Sequence, residues 1–403
     1  MSPRLQAPEG ILAVPGIQAM GIAAGIKKER RDVALIYSSV PSTGAAVFTQ
    51  NAFAAAPVHI SRQHVADGDI RAIVVNSGSA NACTGRQGLR DALKMAEETA
   101  SALGIRKDQV IVCSTGIIGR PLPMEKIIAG IQQCAIDLPN AVGGEAAQAI
   151  LTTDSGPKQT VRTCKIDGKS VTIAGMAKGA GMIHPNMATM LAFMATDAAV
   201  DGKSLRMALK AAVDMSFNQI SVDGDESTND TAAILATGLG PAIDPAHPDW
   251  EKFVATITGV CTDLARRIAA DGEGATRLLE VNVTGAATDS DARIAARRIV
   301  ASNLVKAALH GGDPNWGRIV AAIGSTHADI DTEKVSITVR SAVGTEKMLW
   351  QGEPTGDLEA ARAALGAPEV FYDISLGDGP GVGRAWGCDL SEDYVKFNAE
   401  YST

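Results

Sequence analysis

Near the middle of the chain, residues 174–197 set three glycines, Gly175, Gly179 and Gly181, ahead of a long apolar run from Met187 to Ala195. Glycines this close together let the backbone turn tightly and approach another group. The run that follows reads as a buried strand bounded by loop signals. One hydroxyl, Thr189, interrupts it. A hydroxyl buried there has to be hydrogen-bonded, because leaving it unpaired costs about 1–3 kcal/mol, or else it is put to use. On spacing alone both readings of Thr189 stand, the satisfied core threonine and the reactive one.

With 403 residues the chain exceeds the usual size of one hydrophobic core, so two lobes are expected. A net charge of −8, with no basic run interleaved with aromatics, argues against a nucleic-acid surface. The N-terminus lacks the plan of a signal peptide, and the short apolar stretch 11–20 is interrupted by Pro15. No segment has the apolar length needed to span a bilayer. The six cysteines are scattered without a Cys-x-x-Cys pair, which fits a reduced, cytoplasmic protein. The histidines show no ligand spacing, so no metal site is expected and His184 reads as structural.

In chain order, Val33–Ser38 and Ala45–Thr49 look like two strands joined by a Pro41/Gly44 turn. A strand over 72–76 runs into the structured loop Asn76–Gly85. It is followed by a helix with Leu89, Leu93, Ala96, Ala100 and Leu103 on one face and Gly104 at its end. The strand–loop–helix order matches neither a P-loop nor a dinucleotide fingerprint. Next come a strand over 109–113, the turn Ser114–Gly119 and a helix opened by Pro123. A hairpin over 160–174 turns at Asp167-Gly168. A helix over 204–216 is expected with Ser204 as its cap. The acidic loop Asp223–Asp230 fits no Ca²⁺ template.

From Pro248 to Ala270, Trp250, Phe253, Ile257, Val260, Leu264 and Ile268 form one helical stripe. Glu273 then lies between two glycines, followed by a strand over 278–283, a helix over 291–309 and the run His310–Arg318. Strands over 335–340 and 370–376 flank a short helix over 358–365. The pattern is α/β.

Five collinear segments resemble the ornithine acetyltransferase family, also called the bifunctional glutamate N-acetyltransferases: Asn76–Gly85, Ser114–Gly119, Lys178–Leu191, His310–Arg318 and Gly387–Thr403. The resemblance implies two lobes of layered sheets and helices, the fold of the self-cleaving N-terminal-threonine acetyltransferases. It implies cleavage between Ala188 and Thr189, giving an α fragment, 1–188, and a β fragment, 189–403. The new α-amine of Thr189 would then serve as base for its own hydroxyl, a recognised way to activate a weak nucleophile. Small neighbours, Ala188 and Gly181, suit a hydroxyl reaching back to the preceding carbonyl.

The implied reaction moves acetyl from N-acetylornithine to glutamate through an acetyl-threonine, in arginine biosynthesis. Thr115 and Gly116 would form the oxyanion hole, and Thr152, Lys178, Thr189, Glu273, Asn398 and Thr403 the ligand contacts. Lys178 suits a carboxylate and Glu273 an ammonium group. No cofactor is implied, and the fragments are expected to assemble as a heterotetramer. Three other readings stay open on the residues: acetyl-CoA as a further donor, a self-processing hydrolase with water as acceptor, and a non-catalytic binding protein with Thr189 in its core. Read singly, Ser114–Gly119 is also a plain strand-to-helix turn, and 310–318 a rigid turn around Trp316.

Overall fold

The computed structural model describes residues 10–184, 190–326 and 330–400. Ala188, Thr189 and Thr403 lie outside the described residues. The strands are β1 (Ile17–Ile22), β2 (Val33–Ser38), β3 (Thr43–Phe48), β4 (Ala72–Ser79), β5 (Val110–Ile117), β6 (Lys158–Ile166), β7 (Lys169–Lys178) and β8 (Leu191–Thr196). They continue with β9 (Ile220–Ser221), β10 (Thr231–Ala236), β11 (Leu278–Ala286), β12 (Ser336–Ser341), β13 (Thr345–Trp350), β14 (Glu353–Pro354), β15 (Glu369–Ser375) and β16 (Gly381–Cys388). The helices are α1 (Ala56–His64), α2 (Gly85–Leu103), α3 (Met124–Asp137), α4 (Glu145–Ala149), α5 (Gly202–Asp214) and α6 (Trp250–Ala270). After them come α7 (Asp289–Val300), α8 (Asn303–Gly311), α9 (Trp316–Gly324), α10 (Leu358–Leu365) and α11 (Glu392–Glu400).

Two compact units divide the chain, and both are discontinuous in sequence. One gathers Met1–Gly179, Pro185–Phe217 and Glu226–Leu264; the other gathers Ala180–His184, Asn218–Asp225 and Ala265–Thr403. The first unit holds a four-stranded sheet in the order β1-β2-β4-β5 and a five-stranded sheet in the order β3-β10-β8-β7-β6. Strand periodicity explains how they stack, because alternate side chains leave opposite faces. On the four-stranded sheet, Ala34, Ile36, Ile73, Val75 and Ile111 meet Met176, Phe193, Ala233 and Leu235 of the other sheet in one core. The intervening residues, Val33, Leu35, Val74 and Val112, pack instead against Met95 and Ala96 of α2 and Ile127 and Ile131 of α3. The far face of the five-stranded sheet receives α6, whose Cys261 touches Met194 while Val260 and Leu264 lie over Gly175. β8 is buried at every position, as a strand covered on both faces must be.

The second unit is built on a seven-stranded sheet, β14-β13-β12-β15-β11-β16-β9, mostly antiparallel, with β11–β15 and β16–β9 parallel. Its core joins Leu279, Val281, Ile337, Val370 and Ile374 of the sheet to Ala295, Ala296 and Ile299 of α7 and to Ala361, Ala364 and Leu365 of α10.

Several sequence expectations match. The six stripe residues of α6 are all buried. The β6–β7 hairpin turns at Asp167 (φ 50°) and Gly168 (φ 75°), the positive pair that a two-residue turn needs. Others need correction. β2 and β3 do not pair; they belong to different sheets, because the connection passes from one layer to the next. On α2 the expected Ala96 and Ala100 are buried and Leu93 and Leu103 pack partly buried against the same core, but Leu89 is 41% exposed and Gly88, Ala92, Met95 and Thr99 complete the buried face. The cap of α5 is Asp201, whose carboxylate accepts the Lys203 and Ser204 N–H groups, and Ser204 lies inside the helix. The helix expected over 291–309 is two helices, broken where Ser302 caps α8 by accepting the Val305 N–H. Of the apolar run, 187–189 lie outside the described residues, and β8 covers Leu191–Thr196. β1, α1, α4, β9, β10, α9, β13, β14, β16 and α11 have no counterpart in the sequence pattern.

Candidate active site

In the first unit, one end of the five-stranded sheet collects groups from distant parts of the chain. β7 ends at Lys178, opposite Leu191 at the start of the antiparallel β8. The parallel β10 starts beside it, Thr231 facing Leu191. From the four-stranded sheet, β5 leaves the buried core at Thr115 and Gly116. Lys178 Nζ donates to Thr115 Oγ1 at 3.5 Å, bringing together residues 63 apart in sequence.

Gly116 has to be a glycine. Its φ is 128°, and a Cβ there would lie 2.5 Å from the Gly78 carbonyl carbon and 2.7 Å from the Ser79 nitrogen. The bend is fixed from behind. Ser114 Oγ donates to Asn76 Oδ1 at 2.6 Å, Asn76 Nδ2 to the Ser79 carbonyl at 2.9 Å, and Asn229 Nδ2 to the Ser114 carbonyl at 2.9 Å. Backbone groups held this rigidly meet the requirement of an oxyanion hole, which is preorganisation.

Lys178 is held by an acid that the sequence reading did not single out. Asp154 is wholly buried; its Oδ1 accepts from Lys158 Nζ at 2.7 Å and from the Gly179 N–H at 2.6 Å, and its Oδ2 lies 4.0 Å from Lys178 Nζ. Burial pushes this carboxyl upward, but Lys178 and Lys158 outweigh it and bring its pKa down to about 2. Thr152 joins the same group, its N–H donating to Asp154 Oδ2 at 3.1 Å. Nearby, Lys27 donates to the Leu151 carbonyl at 2.7 Å, and burial lowers its pKa to about 8.

The second unit carries Glu273 and Asn398. The Glu273 N–H donates to the Ala180 carbonyl at 2.9 Å, and its carboxylate lies over Gly181, where a Cβ would come within 2.4 Å of Cδ and both oxygens. Asn398, on the terminal helix α11, donates through Nδ2 to Glu273 Oε2 at 3.0 Å. Gly274 (φ 70°) gives the room for this approach, since a Cβ there would lie 2.5 Å from the Tyr394 nitrogen. Asp223 accepts the Met182 and Ile183 N–H groups at 2.6 and 2.8 Å, so the acidic loop secures the 180–184 segment. His184 Nδ1 lies 3.1 Å from Ser221 Oγ, and burial, with Arg297 and Arg298, lowers its pKa to about 4. His310 meets Asp389 Oδ2 at 2.7 Å, so the 310–318 run ties down the start of the C-terminal segment. Among the described residues no cluster of His, Cys, Asp and Glu could hold a metal ion, and no helix is long and apolar enough to cross a membrane.

A layered α/β fold with a rigid strand-end backbone beside paired ionic groups suits an enzyme of the acyl-transfer class. Comparison with known proteins narrows that class. The ArgJ family profile matches residues 18–403. The arginine biosynthesis bifunctional protein ArgJ of Symbiobacterium thermophilum is 50% identical over 400 residues, covering 98% of each chain. That of Geobacillus stearothermophilus is 48% identical, covering 98% of this chain and 97% of its own. The crystal structure of ArgJ from Bacillus halodurans aligns with a TM-score of 0.50 and 47% identity, covering 53% of this chain and 100% of that one. The chain belongs to the ArgJ family.

Proposed function

We propose that this chain transfers the acetyl group of N-acetylornithine to glutamate after cleaving itself between Ala188 and Thr189. Thr189 is the nucleophile and its freed α-amine the base. The hydroxyl attacks the acetyl carbonyl while Thr115 and Gly116 take the developing negative charge. Ornithine leaves, and glutamate's amine attacks the acetyl-threonine to give N-acetylglutamate. Lys178, oriented by Asp154 beside Thr152, serves the substrate carboxylate. Glu273 and Asn398 serve the side-chain ammonium, and Thr403 completes the ligand contacts. The observation that carries this reading is Lys178 meeting Thr115, the neighbour of Gly116, at the sheet end where β8 begins, two residues after position 189.

The Bacillus halodurans structure adds support: its whole chain corresponds to 53% of this one, and a fragment of 215 of the 403 residues would be the same share. The proposed assembly is a heterotetramer of two α and two β fragments, and the proposed setting the cytoplasm, in keeping with cysteines that are all free. Acetyl-CoA stands as a second proposed donor.

The test is the intact mass of the purified protein beside Thr189→Ala. The wild type should give pieces of 188 and 215 residues and the variant a whole chain of 403. A wild type that stays whole on long incubation leaves Thr189 without its amine base and refutes the mechanism. Release of ornithine that speeds up with added glutamate separates transfer from hydrolysis, and acetylation of glutamate from acetyl-CoA alone decides the second donor.

A further inference from the structure

The connection from β1 to β2, residues 23–32, is a loop built around one acid. Asp32 is fully buried, and its carboxylate accepts the Ala24 N–H at 2.7 Å, the Ile26 N–H at 2.6 Å and the Lys27 N–H at 2.9 Å. Three backbone donors on one carboxylate fix the loop, and with it the point from which the Lys27 side chain sets out. The Asp32 carbonyl accepts the Ser77 N–H at 2.8 Å, which fastens the loop to β4. Lys27 then lies across two parts of the site. Its stem passes over Gly78, where a Cβ would come within 3.2 Å of Lys27 Cγ and 3.0 Å of Ile26 Cγ2. Gly78 is also the residue whose backbone abuts Gly116. At the far end of the stem, the ammonium donates to the Leu151 carbonyl at 2.7 Å. Arg30, from the same loop, donates to the Thr152 carbonyl at 3.2 Å, and Ser77 Oγ donates to the Ala149 carbonyl at 2.6 Å. The carbonyls of 149, 151 and 152 are thus held by the loop and by the neighbour of Gly78. The Thr152 N–H continues the chain of contacts to Asp154, the acid beside Lys178. A bond from an ammonium to a carbonyl is charge-assisted, roughly twice as strong as a neutral one, so Lys27 is the strongest of these ties.

We propose that Lys27 is a positioning residue for substrate binding: with its stem on Gly78 and its ammonium on the Leu151 carbonyl, it sets the spacing between the Gly116 backbone and the group formed by Thr152, Asp154 and Lys178. This rests on the reading of Thr152 and Lys178 as ligand contacts given above. Lys27 acts through Leu151 and not on the substrate itself. The role requires a stem that crosses Gly78 and a cationic donor at its end. Arg supplies both, whereas Met keeps the stem and loses the donor.

The experiment compares the wild type, Lys27→Met and Lys27→Arg by intact mass, by melting temperature, and by kcat and KM for acetylornithine per cleaved molecule. Lys27→Met should be cut at the wild-type rate, because the stem over Gly78 remains, and should melt within a few degrees of the wild type. Its KM should rise roughly tenfold, the worth of one charge-assisted hydrogen bond, while kcat stays within about twofold. Lys27→Arg should bring KM back to within about threefold of the wild type by restoring the donor. Where Lys27→Met yields no folded protein, Lys27→Gln, which is polar and uncharged, takes its place with the same expectation. An unchanged KM in the uncharged variant, a fall of cleavage and kcat alongside KM, or an Arg variant as impaired as the Met one overturns the inference. A working wild type beside Lys27→Met of unchanged KM defeats this inference alone. A wild type that stays whole, or that does not consume acetylornithine, defeats the proposed function and this inference with it.

Discussion

Asp154→Asn removes one charge and almost no volume, which makes it a clean probe of how Lys178 is held. In the wild type the carboxylate faces Lys158 at 2.7 Å and Lys178 at 4.0 Å, with its own side chain fully buried. Its pKa falls from 3.8 to about 2 on folding. At 1.36 kcal/mol per pH unit, that fall stabilises the folded state by about 2 kcal/mol at neutral pH. Because the folded value is the lower one, this contribution is complete above about pH 4 and fades as the pH drops through about 2. The substitution should cost more than the linkage figure, about 3–5 kcal/mol, because it leaves two buried ammonium groups without this carboxylate. Thermal or urea unfolding of the uncleavable Thr189→Ala chain, with and without Asp154→Asn, gives the difference directly. We expect a loss of about 3–5 kcal/mol at pH 7, narrowing as the pH approaches 2. A difference under about 1 kcal/mol at pH 7, or one that stays constant down to pH 2, would refute the reasoning.

Three further outcomes are expected. Gly181→Ala drives a methyl group into the Glu273 carboxylate and breaks its bond to Asn398; at about 1.5–3 kcal/mol for a charged hydrogen bond, kcat/KM for acetylornithine should drop roughly ten- to hundredfold while Tm barely moves. An unchanged kcat/KM would remove Glu273 from the ligand contacts. Gly116→Ala meets backbone atoms on every close side, so no side chain can give way; self-cleavage and transfer should fall together, with stability down by about 1–3 kcal/mol, read by intact mass and calorimetry. The cleaved pieces should elute together on size exclusion without denaturant, since β3, β6 and β7 precede position 188 while β8 and β10 of the same sheet follow it; separate elution would contradict that sheet order.

How much of this was legible in the sequence depended on how locally each feature is encoded. The α6 stripe could be read because six large side chains repeat at one period, and the β6–β7 hairpin because Asp167-Gly168 names its turn. On the packed face of α2, Ala96 and Ala100 could be read but Gly88 and Ala92 could not, because they gain contact by being small, while the larger Leu89 is left exposed. The partition of β2 and β3 between two sheets depends on pairings with β4 and β10, far along the chain, which no local pattern announces. The site follows the same rule. Thr115 meets Lys178 across 63 residues and Glu273 meets Asn398 across 125, so only resemblance, never spacing, could associate them. Asp154 carries no mark in the sequence, because the burial that lets it hold Lys178 is a property of the finished fold.

The sheet order has a consequence for quality control in the cell. Lys178 and the start of β8 come together only when β10, β8 and β7 lie side by side, and Thr115 reaches Lys178 only when β5, in the four-stranded sheet, is in place as well. Under the proposed self-cleavage, a chain that stalls with any of these strands unpaired keeps its peptide bond and also lacks its nucleophile. The scission then works as a permanent stamp applied by native structure, and the ratio of cut to whole chain in an extract becomes a ledger of how many molecules ever reached the folded state.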